Sequence, residues 1–249
     1  MSNITIGQKI VHLESVDSTN NYAANVFKEG RIDHGTVILA DIQTNGRGQR
    51  GNTWQSDAFE NLTISIAIDP KLCKINNLIS LNHITTIALY QLIKKYCQHV
   101  KIKWPNDILV NENKIAGILI ESQFSGNRMH SIIGVGLNVN QSTFENNKST
   151  SLSIEMNKNL NIKSLLFEYI SFFNECLDEY LKHGEKHVHN LFDEQLWLKG
   201  TETKFIFNDK VFNGVIKNTD TNGQINIEVD GAQRLFKNGE IKYVQRLID

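Results

Sequence analysis

The chain has 249 residues, 40% of them hydrophobic and 21% charged, with 26 Lys+Arg against 27 Asp+Glu. That is the make-up of a globular protein long enough for one sizeable core plus a small second unit. A formal net charge of -1 excludes the broad basic footprint of a general nucleic-acid binder. Cys73, Cys97 and Cys176 lack C-x-x-C spacing, so reduced thiols are expected rather than a disulfide framework or a zinc site. The N-terminus has no apolar core of signal-peptide type, and no run of about 18 apolar residues could span a bilayer. A cytoplasmic protein without membrane contact is the expectation.

The first predicted helix follows "DSTN" (17–20), where Ser18 or Thr19 can cap it and Tyr22, Ala23, Val26 and Phe27 form an apolar stripe ahead of Gly30. "GTVILADI" (35–42) predicts a strand and "NLTISIAI" (61–68) an alternating second one, with a glycine- and arginine-rich loop between them. Leu78, Ile79, Leu81, Ile84, Ala88, Leu92, Ile93 and Cys97 recur at helical spacing, predicting a long helix over 76–98. "VKIKWPND" (100–107) runs into a proline corner, and "DILVNENKIAGILIES" (107–122) predicts a hairpin turning at Asn111-Glu112-Asn113. "HSIIGVGLNVN" (130–140) reads as another strand and "STFENNKSTS" (142–151) as a polar surface loop. Leu166, Ile170, Phe173, Leu177 and Tyr180 predict an amphipathic helix over 164–182, ending near Gly184.

Beyond Gly200 the pattern changes to short alternating strands separated by Asn-Asp, Asn-Gly and Asp-Gly turns. This predicts a small all-β unit of about five strands, SH3-like in type. The chain is accordingly divided into 1–199 and 200–249. Fifty residues lie near the lower limit for independent stability, so the second unit should pack on the first.

"QTNGRGQRGNTW" (43–54) spells G-x-G-x-x-G through Gly46, Gly48 and Gly51. A dinucleotide turn needs strand, glycine turn and then a helix. The following "NTWQSDAFEN" shows no helical face, so strand, loop and strand read as antiparallel and the dinucleotide explanation fails. A P-loop fails too, for want of Gly-Lys-Ser/Thr. A mobile loop remains, carrying Arg47 and Arg50 with glycines that allow close backbone approach. Two guanidiniums suit recognition of a carboxylate and a phosphate; the alternative is a solvated basic turn.

Around "KWPNDILVNENKIAG", Lys103, Asn106, Asp107 and Lys114 fall within twelve residues at a corner and hairpin. A carboxylate for magnesium beside cations for phosphate is what nucleotide chemistry requires. Gly117 marks a close approach to a ligand or a bulge. Gly134 and Gly136 leave one strand face bare, as a purine ring or simple tight packing would need. "HGEKHVH" (183–189) places His183 and His187 four apart, but without matching cysteines or acids it reads as a solvated helix terminus rather than a metal site.

Taken together, "DSTN", "QTNGRGQRGNTW", "KWPNDIL" (103–109), "KIAGILIE" (114–121) and "GVGLNVN" (134–140) resemble the biotin protein ligases, also called biotin–[acetyl-CoA-carboxylase] ligases. The motifs occur in the family order, and the resemblance runs from about residue 10 to the end. It implies an α+β fold: a mixed, mainly antiparallel sheet with helices on one side, as in class II synthetases, followed by an SH3-like β-barrel. It also implies an enzyme that joins biotin to AMP at the expense of ATP and passes it to a lysine of a biotin carboxyl carrier domain, as in acetyl-CoA carboxylase, with Mg2+.

By that likeness Ser18, Thr19 and Asn20 line the biotin pocket with Gln43 and Gly117, and Gly46, Arg47, Gly48 and Gln49 close over it. Trp54, Asn106, Asn138 and Arg50 belong to the ATP and adenylate side, and Asp107 to the metal. Lys103, Lys114 and Arg47 are the implied catalytic cations, Lys114 also touching the biotin carboxyl. No Ser-His-Asp set is needed for such chemistry and none is evident.

The family commonly reads Gly-Arg-Gly-Arg where this chain has Gln49. Weaker retention of the adenylate is therefore expected, with slower release in Gln49→Arg. Only sixteen residues precede "DSTN", too few for the winged helix of some relatives, so no DNA binding is expected. A homodimer is among the assemblies the resemblance allows. Competing readings are a lipoate or octanoyl transferase of related fold, a biotin-binding protein without transfer, and a DNA-binding regulator.

Overall fold

The computed structural model describes residues 5–125, 128–145 and 148–244. Seven strands form one sheet: β1 (Ile10–Val16), β2 (Val37–Gln43), β3 (Asn61–Ile68), β4 (Val100–Lys103), β5 (Asp107–Val110), β6 (Asn113–Ser125) and β7 (Arg128–Asn138). Their order is β1-β2-β3-β7-β6-β5-β4. Only β1 and β2 pair in parallel; the other neighbours are antiparallel. The glycine-arginine segment thus joins antiparallel strands, as its lack of a helical face required.

The alternation in β3 decides what lies on each face. Leu62, Ile64, Ile66 and Ile68 join the main core, whereas Thr63 and Ser65 occupy the opposite face, also buried. Above the main core lie α2 (Leu78–Tyr96) and α4 (Ile162–His183). Asn77 caps the first through Ile79 N, and Asn161 caps the second through Ser164 N. Asn111 and Glu112 adopt φ of 48° and 67°, the left-handed geometry of a tight hairpin turn between β5 and β6.

Several expectations are corrected. Helices do not lie on one side alone. The apolar stripe of α1 (Thr19–Lys28), through Ala23 and Val26, packs on Ile38, Ala67 and Ile132 of the other sheet face. Neither Ser18 nor Thr19 caps α1 through its side chain; instead Gln43 Oε1 accepts from Thr19 N at 2.9 Å. "HGEKHVH" is not merely a helix end. Gly184, at φ 80°, breaks the chain into a separate helix, α5 (Glu185–Glu194). His183 and His187 both approach Glu179 Oε2, at 3.5 and 3.3 Å. The edge strand β1 and the short helix α3 (Leu152–Met156) were not foreseen.

The C-terminal strands are β8 (Glu202–Phe207), β9 (Lys210–Thr219), β10 (Ile225–Val229), β11 (Ala232–Phe236) and β12 (Ile241–Tyr243), a five-stranded antiparallel sheet in the order β11-β10-β9-β8-β12. Phe205, Ile216, Ile225, Ile227 and Phe236 share one core with α2 and α4. A polar joint adds to it. Asp193 of α5 accepts from Thr219 N and Oγ1, and Trp104 Nε1 donates to Gly223 O at 3.0 Å.

Beneath that joint His83 is buried, stacked 4.3 Å from Phe192, with Nδ1 lacking a partner. Burial pushes it down to about 3 from an ordinary 6.5. The unfolded chain then takes up a proton below that ordinary value while the fold does not, so stability drains away as pH falls from 6.5 towards 3. His189 has the opposite sign. Its hydrogen bond to Asp193 raises it, so its contribution is complete below its ordinary value and is lost as pH rises through the raised one. His83→Phe is expected to flatten the acid-side loss of stability and to gain on the order of 1 kcal/mol at neutral pH by removing an unpaired nitrogen. Urea midpoints near neutrality and about two pH units lower check this; an unchanged acid slope would contradict it.

Candidate active site

The sheet face that α1 leaves uncovered forms the floor of two adjoining spaces. The inner one is narrow, about 50 Å³, and the outer is an open cleft of about 650 Å³. Trp54, Lys114 and Gln43 border both.

Inner-pocket side chains hold one another through hydrogen bonds. Ser65 Oγ lies 2.6 Å from Asn20 Oδ1 and 2.8 Å from Thr19 Oγ1, with one proton to share between them, and Thr19 Oγ1 donates to Gln43 Oε1 at 3.0 Å. Asn20 Nδ2 donates to Glu121 Oε2 at 3.0 Å. Ser18, Thr19, Asn20 and Ser65 are all buried. The result is a floor of hydroxyls and amides with the Glu121 carboxylate behind it and Arg47 and Lys114 at its borders.

Glycines let other groups onto the sheet. A Cβ on Gly136 would overlap the Trp54 indole, and one on Gly134 would overlap the Asn20 amide. Gly117 lies under Trp54 and Lys114. The bare strand face read from sequence is therefore occupied by Trp54 and Asn20. The buried Trp54 Nε1 has no protein partner, an unpaired donor that costs about 1–3 kcal/mol until an acceptor reaches it.

Residues 43–54 fold as a compact hairpin. Trp54 N donates to Gly46 O, Gly48 N to Asn52 O, and Asn52 N to Gln49 O. A Cβ on Gly46 would strike the Trp54 carbonyl, which explains glycine there. Arg47 directs both nitrogens at Glu121, at 2.6 and 3.1 Å, and also reaches Asn21 Oδ1 at 2.7 Å. Arg50 and Gln49 turn outwards, to Asn238.

In the outer cleft, Lys114 Nζ lies 2.7 Å from Asp107 Oδ1 and 5.5 Å from the centre of the Trp54 ring. Lys103 is held between the Trp197 and Tyr243 rings, at 5.9 and 5.4 Å. Burial lowers its pKa, with Asp107, Lys114 and Lys148 all within electrostatic reach. Lys103, Lys114 and Lys148 outnumber the Asp107 carboxylate here, a locally positive group that suits an anion. Asn106 is tied to the main chain by donating to Ile118 O at 2.7 Å, and Asn138 by donating to Thr150 O at 3.0 Å.

The structure thus brings Ser18, Thr19, Asn20, Gln43, Gly46, Arg47, Gly48, Trp54, Asn106, Lys114, Gly117 and Asn138 to one face; Gln49 also borders the inner pocket, but its side chain, like that of Arg50, bonds Asn238 of the C-terminal sheet. Sequence reasoning missed Ser65, Glu121, Gln141, Lys148 and Tyr243. Ser65 was signalled by the polar phase of β3, and Glu121 by the last letter of "KIAGILIE". Among the described residues no group of three or more His, Cys, Asp or Glu could hold a metal ion. Asp107 offers one carboxylate, a donor set that fits a magnesium ion arriving on nucleotide phosphates and not a resident one.

The family model "Biotin/lipoate A/B protein ligase family" matches residues 12–138, just over half of the chain. The bifunctional ligase/repressor BirA of Bacillus spizizenii is 27% identical over 239 residues, covering 93% of this chain and 73% of that protein. Biotin–[acetyl-CoA-carboxylase] ligase of Paracoccus denitrificans is 33% identical over 131 residues, covering 51% of this chain and 53% of that protein. The solved biotin protein ligase of Aquifex aeolicus, in complex with biotin and ATP, superposes with a TM-score of 0.80 at 24% identity, covering 96% of this chain and 100% of that one.

Proposed function

Because this chain belongs to the biotin/lipoate A/B protein ligase family, we propose that it activates biotin as biotinyl-5'-AMP and transfers it to a lysine of a biotin carboxyl carrier domain. The enzyme is an ATP-dependent biotin–protein ligase.

One observation carries the choice of biotin over lipoate. The inner pocket is lined by Ser18, Thr19, Asn20 and Gln43, with Ser65 hydrogen-bonded behind Thr19 and Asn20, donors and acceptors that suit a ureido ring. A dithiolane has no donor or acceptor to exchange with this network, whereas a ureido N–H or carbonyl can take over some of its internal bonds.

The chemistry joins a carboxylate to the α-phosphorus of ATP. Two anions must meet, so cations must converge where they do. Lys114 meets the biotin carboxylate at the junction of the two spaces, Lys103 offsets phosphate charge, and Asp107 steadies Lys114 and would hold magnesium brought by the nucleotide, which would supply further positive charge for the phosphates. The carboxylate oxygen forms the new P–O bond and pyrophosphate leaves. A neutral lysine amine then attacks the acyl carbon, AMP leaves, and the amine proton passes to solvent or to AMP. Trp54 separates pocket from cleft, and Asn138 with Arg50 belongs to the nucleotide side. The mixed anhydride is lost if wet, so the hairpin carrying Gly46, Arg47, Gly48 and Gln49 serves to exclude water. The narrow inner pocket requires that hairpin to open for entry.

We place the catalytic unit at 1–199 and the C-terminal unit at 200–249; residues 1–4, 126–127, 146–147 and 245–249 of these lie outside the described residues. No helix of the described residues is long and apolar enough to cross a membrane. The reading is tested by pyrophosphate release from ATP with biotin or lipoate as the acid. Release with biotin at least a hundredfold faster is expected; equal rates, or preference for lipoate, would overturn it.

A further inference from the structure

We infer that the turn at residues 237–240 of the C-terminal sheet is the outer clasp of the glycine-arginine hairpin, with Asn238 and Gly239 as positioning residues for the reaction. Two bonds join this turn to the hairpin. Arg50 Nη1 donates to Asn238 O at 3.1 Å, and Asn238 Nδ2 donates to Gln49 Oε1 at 2.9 Å. Gly239 supplies the space: any side chain there would coincide with the Arg50 guanidinium. The turn is itself braced, because Glu240 N donates to Lys237 O and Lys237 N to Glu240 Oε2.

Arg50 holds φ 57° and ψ 36°, a left-handed backbone that a non-glycine residue adopts only when its surroundings impose it. The bonds of the hairpin around it and the contact with the 237–240 turn together hold it there. Arg47 pins the inner arm of the same hairpin to Glu121. The hairpin is therefore held from both sides, by β6 within and by the C-terminal sheet without.

This geometry reverses the role expected for residue 49. The Gln49 carbonyl oxygen is the acceptor for Asn238, and arginine has no acceptor to offer. Gln49→Arg therefore removes one of the clasp's two bonds and places a second guanidinium beside Arg50. It should loosen the hairpin, where the sequence alone led to an expectation of tighter retention.

Hydrogen exchange of the ligand-free full chain tests the clasp whatever the site binds. In Asn238→Ala, Arg50→Ala and Gln49→Arg, the Gly48, Asn52 and Trp54 amides should exchange at least tenfold faster, with β3 amides and Tm nearly unchanged. Gln49→Ala combined with Asn238→Ala should be no worse than either alone. Unchanged exchange at 48–54 in all three single variants, or fully additive effects in the double variant, would overturn the clasp. The consequence for catalysis rests on the ligase reading: biotinyl-AMP should leave Asn238→Ala and Gln49→Arg about tenfold faster than wild type. Slower release from Gln49→Arg would overturn the positioning role. If no variant, wild type included, forms an adenylate, the ligase reading fails and the exchange data alone decide the clasp.

Discussion

Lys114→Ala is expected to slow biotin-dependent pyrophosphate release by roughly 10²–10³-fold, the scale of losing one preorganised charge-stabilising donor, or about 2.7–4 kcal/mol. The fold should survive. The main chain of Lys114 is strapped to the neighbouring segment, with Lys114 N donating to Lys148 O and Thr150 N donating to Lys114 O. Those bonds do not depend on the side chain. If Lys114 served only to neutralise Asp107, Asp107→Asn would cost as much as Lys114→Ala, and a double variant would lose nothing further. If it meets the reacting carboxylate, Lys114→Ala must be the more severe single change. An unchanged pyrophosphate burst in Lys114→Ala would remove this residue from the mechanism.

Truncation after residue 199 is expected to cut ligation by at least a hundredfold and to leave a fragment prone to aggregation. The deleted sheet shares its core with α2 and α4, so its removal exposes apolar surface that the intact chain keeps from water. It also strips Asp193 of its Thr219 donors, each hydrogen bond to a charged group being worth roughly 1.5–3 kcal/mol. Set against a total stability on the order of 5–15 kcal/mol, the loss is large. Two effects act on the site directly. Lys103 loses the Tyr243 ring, and the glycine-arginine hairpin loses the Asn238 contacts. A soluble 1–199 fragment that biotinylates its carrier at the full rate would show that the sheet is dispensable.

What the sequence disclosed depended on how local the signal was. The period-two pattern of "NLTISIAI" announced β3 and the period of Leu81, Ile84, Ala88 and Leu92 announced α2, because each pattern is written within one element. The stripe on α1 told that a face is buried but not which sheet face receives it, and the structure places it opposite α2. Strand β1 lies at the sheet edge and is only partly buried, so its pattern is faint. Helix α5 buries only Val188, Phe192 and Asp193, too few apolar positions to stand out in a polar stretch.

The candidate site shows the same division. "KWPND" and the Lys-x-x-Gly that follows pointed at the anion cluster because its members are near neighbours across one hairpin. The bond from Gln43 to Thr19 and the ion pair from Arg47 to Glu121 join residues far apart in the chain, and no spacing rule reports such a meeting. Gln49 is the clearest case. Its identity suggested a missing cation near the ligand, whereas its partner is Asn238, which only the docking of the C-terminal sheet brings within reach.

Intact-mass analysis of a biotin carboxyl carrier domain, incubated with this protein, biotin and ATP, tests the central claim most directly. The account predicts one biotinyl group per carrier, attached in an amide at a single lysine, dependent on ATP and absent when that lysine is replaced by arginine. Transfer of a lipoyl group instead, or a carrier left unmodified while biotinyl-AMP accumulates, would contradict it.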